Sequence, residues 1–289
     1  MTGRPTRVQV QVLKAVQNHA AQIHRMVGRA ERAYAHTATS PPPEWYRDLE
    51  HKVRVQEALE AAVLSAGTPP EWVEQVRERG KLGMSWRAQL HWRATTPTDR
   101  QVVAARLRAE IERVQDLAAL AAAYGERGAH TEPGTASLFD RELRRSGDRV
   151  GVLTAVFDPS DTEAEQLWGE HTWTAAADSV RGADDGELAA RWRAHVRADT
   201  TISTQQATAL ADAGLTAHLA TRRAPSPAQM VHRLRGLLHA EPDPAPADTG
   251  HQIAAAIDAA ALTTGPESDS TTTTSGAPPV AAPDRGIGP

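Results

Sequence analysis

Cysteine is absent from the 289 residues, which removes disulfides, thiolate metal sites and a thiol nucleophile together. Aromatic residues are scarce at 4%, with two Phe and three Tyr, so the seven Trp carry most of the aromatic area available for packing. Long apolar runs are missing as well. The longest, Leu117 to Tyr124, falls far short of the ~20 residues that span a bilayer. The first residues, MTGRPTRVQVQVLK, contain no apolar stretch of the kind a secretory signal needs. Together these absences predict a soluble cytoplasmic chain with no membrane partner.

Several chemical signatures are also lacking. There is no Gly-x4-Gly-Lys-Ser/Thr loop and no Gly-x-Gly-x-x-Gly, so no glycine-rich turn is in place to cradle phosphates. There is no His-Glu-x-x-His and no Gly-x-Ser-x-Gly. His19 and His24 are five residues apart, a spacing that does not stack two ligands on one helical face. The acids around Asp158 to Glu170 lack the Gly and the terminal Glu of a calcium loop and read as a helix start. No metal site, cofactor or catalytic set is called for.

What is abundant is helix punctuation. Six Ser/Thr-x-x-Glu/Gln pairs occur, at Thr6/Gln9, Thr68/Glu71, Thr98/Gln101, Ser160/Glu163, Ser203/Gln206 and Ser226/Gln229. In such a box the hydroxyl and the amide or carboxylate satisfy two orphan N–H groups of the first helical turn. The first helix is expected over about 7–35, where Val12, Val16, His19, Ile23, Met26, Ala30 and Ala33 recur at spacings of four and three. Arg7 to Val12 alternates as a strand would, but no turn separates it from the helical pattern after it, and helix is preferred. Pro42-Pro43-Glu44-Trp45 and Pro69-Pro70-Glu71-Trp72 read as two similar helix starts. A third long helix is expected from Thr98, with Val103, Leu107, Ile111, Val114, Ala118 and Ala121 inward and Arg106, Glu110, Arg113 and Asp116 outward. Arg149 to Phe157 suits a buried helix or a single strand, and helix is preferred for want of a second strand. Further helices are expected from Ser160, Asp184, Ser203 and Ser226, with Gly214 ending the third of these.

The expected fold class is therefore all-α. A helical bundle with long amphipathic helices occupies residues 1–130, and a second, smaller helical unit occupies 131–240. A mostly disordered Pro/Thr/acidic tail fills 241–289, with a possible short helix near 251–262. Charge is uneven: residues 1–35 carry Arg4, Arg7, Lys14, Arg25, Arg29 and Arg32 against Glu31 alone, while the tail is acidic.

The functional expectation is a non-enzymatic binding or scaffolding protein acting through helix surfaces, with a protein partner or a second copy on the first helix. The alternative is a nucleic-acid accessory protein contacting phosphates through Arg4, Arg7, Lys14, Arg25, Arg29, Arg32, Arg87 and Arg93, the last two interleaved with Trp86 and Trp92. A third option, an enzyme with a site between the two helical units, requires a pocket that holds at least two of Asp158, Glu165, Glu170, His171 and His195.

Overall fold

Three of the six capping boxes close as drawn, and each fixes where a helix begins. Thr6 starts α1 (Arg7–Tyr34), Ser160 starts α6 (Asp161–Trp168) and Ser226 starts α11 (Pro227–His239). At Thr6 the hydroxyl accepts from Gln9 N–H at 3.2 Å while the Gln9 side chain accepts from Thr6 N–H at 2.9 Å. The other three are superseded by neighbours. Asp99, not Thr98, caps α4 (Arg100–Glu126), accepting from Gln101 and Val102. α9 (Thr201–Asp212) begins before Ser203, whose hydroxyl donates back to Thr200 O. Thr68 is buried, and α3 (Pro70–Lys81) starts instead at the Pro69-Pro70 pair, matching α2 (Pro43–Ser65).

The computed structural model describes residues 4–35, 39–87, 89–127, 134–198, 200–219 and 224–240. The expected tail at 241–289, with its possible helix near 251–262, lies outside them. The remaining elements are α5 (Thr135–Phe157), α7 (Glu170–Arg181), α8 (Asp185–Arg197) and α10 (Thr216–Leu219). Among the described residues there is no strand, and no helix is long and apolar enough to cross a membrane. The alternating Arg7–Val12 segment is the first turn and a half of α1, because alternation gives way to the capping box that precedes it.

Arg149 to Phe157 is the second half of α5, and every residue from Arg149 to Phe157 is buried. A helix that is apolar on all sides belongs in the middle of a core, and α5 is packed by α4, α9, α10, α1, α2, α8 and α11. It ends at Asp158, held in the left-handed region at φ 51° with its N–H on Thr154 O. Gly214, at φ 71°, ends α9 as expected: Leu215 N–H reaches back to Leu210 O at 3.0 Å.

The boundary expected near residue 130 is not a boundary in the packing. Residues 1–240 form one compact unit. The reason is that, while α1 and α3 pack on each other, α2 lies on α9 and α4 lies on α5, α7, α8 and α11, so two of the early helices find apolar partners late in the chain. Two features, one polar and one aromatic, fasten this arrangement. Arg149 is buried and forks onto Glu110, with N–O distances of 3.0 and 3.3 Å, while its Nε donates to Gln206 Oε1 at 2.7 Å, joining α4, α5 and α9. Trp192 of α8 stacks between Tyr124 and Phe139, with ring centroids at 4.8 and 3.8 Å. Glu110, expected on the solvent face of α4, is thus drawn inward to answer a buried guanidinium, and Asp116 is half-buried too.

Helix α11 lies across α4 and α7 and sinks Met230 and Leu234 completely. Arg233 sits 5.0 Å over the Trp173 ring and pairs with Glu170, while Arg181 donates to Leu237 O at 3.0 Å.

The described residues of 82–99, between α3 and α4, are not helical, yet they are tied down by side chains. Gln17 Nε2 donates to Met84 O (2.8 Å), Trp72 Nε1 to Arg93 O (3.1 Å) and Gln75 Nε2 to His91 O (2.7 Å), and Glu71 accepts from Thr96 N–H (2.9 Å). Trp92 and Trp86 continue outward from Trp72 as a ladder with centroid spacings of 5.6 and 6.3 Å.

Candidate functional site

α1 is amphipathic from end to end, and its two faces have different fates. Val12, Val16 and Ala30 are buried on the inner face, with Ile23 and Val27 half-buried there. α3 covers one flank so closely that a Cβ on Gly80 would lie 2.5 Å from Gln17 O. α2 covers the other flank, where His19 Nε2 meets Lys52 O at 3.1 Å. Burial lowers the His19 pKa from 6.5, which favours the neutral ring that this contact holds.

The outer face carries Arg7, Lys14, Arg25, Arg29 and Arg32, all exposed. At 3.6 residues per turn their Cα positions fall within about 60° of one another around the axis, and Arg7 to Arg32 spans about 37 Å at 1.5 Å per residue. Arg4 precedes the helix at the same end and is exposed. The exposed residues between the cations on this side, Gln11, Asn18 and Gln22, are uncharged amides. Glu31, the one acid of α1, lies about a third of a turn away from the stripe.

Among the described residues none of Arg4, Arg7, Lys14, Arg25, Arg29 and Arg32 has a carboxylate within ion-pair distance. Elsewhere some arginines are answered, Arg47 by Glu44, Arg54 by Glu50, Arg77 by Glu60 and Glu74, Arg100 by Glu163, while others among the described residues, Arg106, Arg108, Arg113 and Arg141 for example, also have no ion pair. The Arg100 guanidinium holds the Glu163 carboxyl down at about 2. Arg87 and Arg93 do not join the stripe. Arg93 is built into the strap at 82–99: its N–H and carbonyl bond α3 and its guanidinium pairs with Glu78. Trp92 and Trp86 beside it lean on buried Trp72 rather than standing free as stacking platforms. Arg87 is exposed on the strap.

Past Ala21 of α1 and before Val55 of α2 the two helices run on beyond the main core. In 22–34 only Ala30 is buried, and in 43–54 no residue is. This arm carries half-buried Ile23, Met26, Val27, Trp45 and Leu49, and exposed Tyr46 and Val53. The expected heptad seam is thus consumed in its first half by the chain's own helices, and only its second half is partly open.

The residues proposed from sequence for an inter-unit active site do not converge. Asp158 is exposed at the end of α5, Glu170 is paired with Arg233, and His195 is edge-on to Phe139. His171 borders a cleft of about 570 Å³ with Arg108, Glu112, Gln115, Asp116 and Gln166, where burial raises the Asp116 pKa. None of the described clefts holds two of the five. Among the described residues no group of three His, Asp or Glu side chains is placed to hold a metal ion.

The alignment of Arg7 and Lys14 with the Arg25, Arg29 and Arg32 stripe goes beyond what the charge count alone suggested. A signal was present: positions 7, 14, 25 and 32 are separated by seven, eleven and seven residues, each close to a whole number of turns. No family model, no curated protein and no solved structure matches this chain.

Proposed function

We propose that this chain is a non-enzymatic helical binding protein whose working surface is the outer face of α1, and that the ligand of that face is a phosphate-bearing polymer of the nucleic-acid class. One observation carries the reading: five exposed cations share one face of a single helix, with only neutral amides between them and no carboxylate partner among the described residues. Surfaces ordinarily intersperse charges of both signs. Like charges at i, i+4, as at Arg25 and Arg29, weaken a helix by a few tenths of a kcal/mol. A polyanion removes that repulsion and releases its own condensed counterions in exchange.

The test is binding of the full chain to a mixed-sequence DNA fragment across a salt series. Engaging five cations gives a slope of log affinity against log salt of about −4.5 on duplex. No affinity at 25 mM salt would remove the proposal. A second reading, a protein partner or a second copy docked on the arm, is favoured by exposed Tyr46 and Val53. Sedimentation of the same sample decides whether two copies associate, and a monomer at all concentrations would dismiss the second copy.

A further inference from the structure

The cations of α1, with Arg4 just before its N-terminus, are not evenly spread along it. Arg4, Arg7 and Lys14 form one group at the N-terminal end, and Arg25, Arg29 and Arg32 form another toward the C-terminal end. The step from Lys14 to Arg25 is eleven residues, or about 16 Å of axis. The outward positions in that interval are Asn18 and Gln22, both neutral amides. The helix is unbroken across the gap, and Gln17, Ala20 and Ala21 are buried against the body beneath it. The two groups are therefore held at a fixed separation by a rod, not by a flexible loop.

A single strand followed along its length would be served by cations at regular short intervals. An uncharged interval of about 16 Å flanked by two triads fits a different target, two phosphate ridges with a trough between them. The major groove of B-form DNA is about 12 Å wide between its bordering backbones, and the phosphates on each rim add the remainder. The minor groove, at about 6 Å, is too narrow for both groups to reach opposite rims. The A-form helix of RNA offers a deep, narrow major groove in that place.

We propose that α1 bridges the major groove of double-stranded B-form DNA, with Arg4, Arg7 and Lys14 on one backbone and Arg25, Arg29 and Arg32 on the other. Asn18 and Gln22 lie over the groove between. The six charged contacts are to phosphates, so they fix orientation across the duplex and carry no sequence information of their own. This rests on the reading of α1 as a polyanion-binding face and adds the form of the polymer to it.

The experiment measures anisotropy of the full chain with four probes: a 20-base-pair DNA duplex, one of its single strands, an RNA duplex of the same sequence, and vesicles containing anionic lipid. It is repeated with two variants, Arg4→Gln/Arg7→Gln/Lys14→Gln and Arg25→Gln/Arg29→Gln/Arg32→Gln. All six side chains are exposed, and an unchanged far-ultraviolet helix spectrum verifies folding. Expected is at least tenfold tighter binding to duplex DNA than to the other three probes. Loss of either group alone abolishes that preference and reduces the magnitude of the salt slope by about 2.7. Equal affinity for single strand or RNA duplex, or binding to vesicles alone, overturns the groove-bridging geometry. If the single strand or RNA duplex still binds through the stripe, the polyanion reading survives. Absence of binding to all four probes overturns both.

Discussion

Gly80 is where α3 closely approaches α1, and replacing it by Ala tests the packing that holds α1 in place. A Cβ there would sit 2.5 Å from Gln17 O and 2.6 Å from the Ala20 Cβ, both fixed to the α1 backbone. Ordinary carbon contacts are ~3.5–4.0 Å, so α3 must withdraw by about 1 Å, and a gap of that size forfeits a quarter to a half of each contact's attraction. Trp72, Val73 and Val76 lie on the same short helix and are buried with it, so the loss is shared among them. Overpacking of this kind costs about 1–3 kcal/mol. The better helix propensity of Ala returns up to about 1 kcal/mol, less here because Gly80 is the penultimate residue of α3. The net expectation is a loss of about 1.5 kcal/mol, or a fall in melting temperature of roughly 3–6 °C. Gly236 in α11 is the internal control, because a Cβ there meets nothing within 4 Å. Gly236→Ala gains about 0.5–1 kcal/mol. Urea denaturation of the two variants beside the parent gives opposite signs for one and the same substitution. If Gly80→Ala matched or exceeded the parent while Gly236→Ala rose as expected, the close approach of α1 and α3 would be refuted.

Arg149→Ala leaves buried Gln206 and partly exposed Glu110 without their shared partner and is expected to cost about 2–3 kcal/mol in urea melts. Adding Glu110→Gln to it costs less than the two single changes together, and strict additivity would show that the pair does not interact. Stability is also expected to fall on acidification below 6.5. Burial lowers the pKa of His19, which faces Lys52, Asp212 and His51, and of His195, which faces Arg191 and Arg113. The unfolded chain therefore binds more protons than the folded one as pH drops from 6.5 towards the lowered values, and folding weakens across that window. Replacing both by Gln flattens the urea midpoint between pH 7.5 and 5.5, and an unchanged slope would assign the effect elsewhere.

The helix starts were legible where one residue decides them. Thr6, Ser160 and Ser226 each stand alone before their helix, so the local rule and the structure coincide. Thr98 has a stronger cap beside it in Asp99, and Thr68 is sealed behind the Gly67 turn, where its N–H already bonds Val63 O. Those outcomes depend on competition between neighbours, which a spacing rule does not weigh. The boundary near 130 misled for a different reason. A Pro-Gly pair in a sequence signals a local break and says nothing about which helix α2 will meet, and that partner is α9, more than 130 residues later. For the candidate face, the residues were legible and their grouping was only partly so. Arg93 drops out because its carboxylate partner, Glu78, sits fifteen residues back on a different element.

Helix α11 has a temporal meaning beyond its contacts. It is the last described helix, yet it supplies Met230 and Leu234 to a layer laid down by α4 and α7. A nascent chain that has not reached Ser226 therefore carries α4 with one flank unsheltered, and proteins of this size form such partly closed species on their way to the native state. The fold behaves as a box whose lid is made last. Cutting before Ser226 leaves that flank open and prone to aggregate, whereas a chain that has reached His239 holds every described helix that covers it.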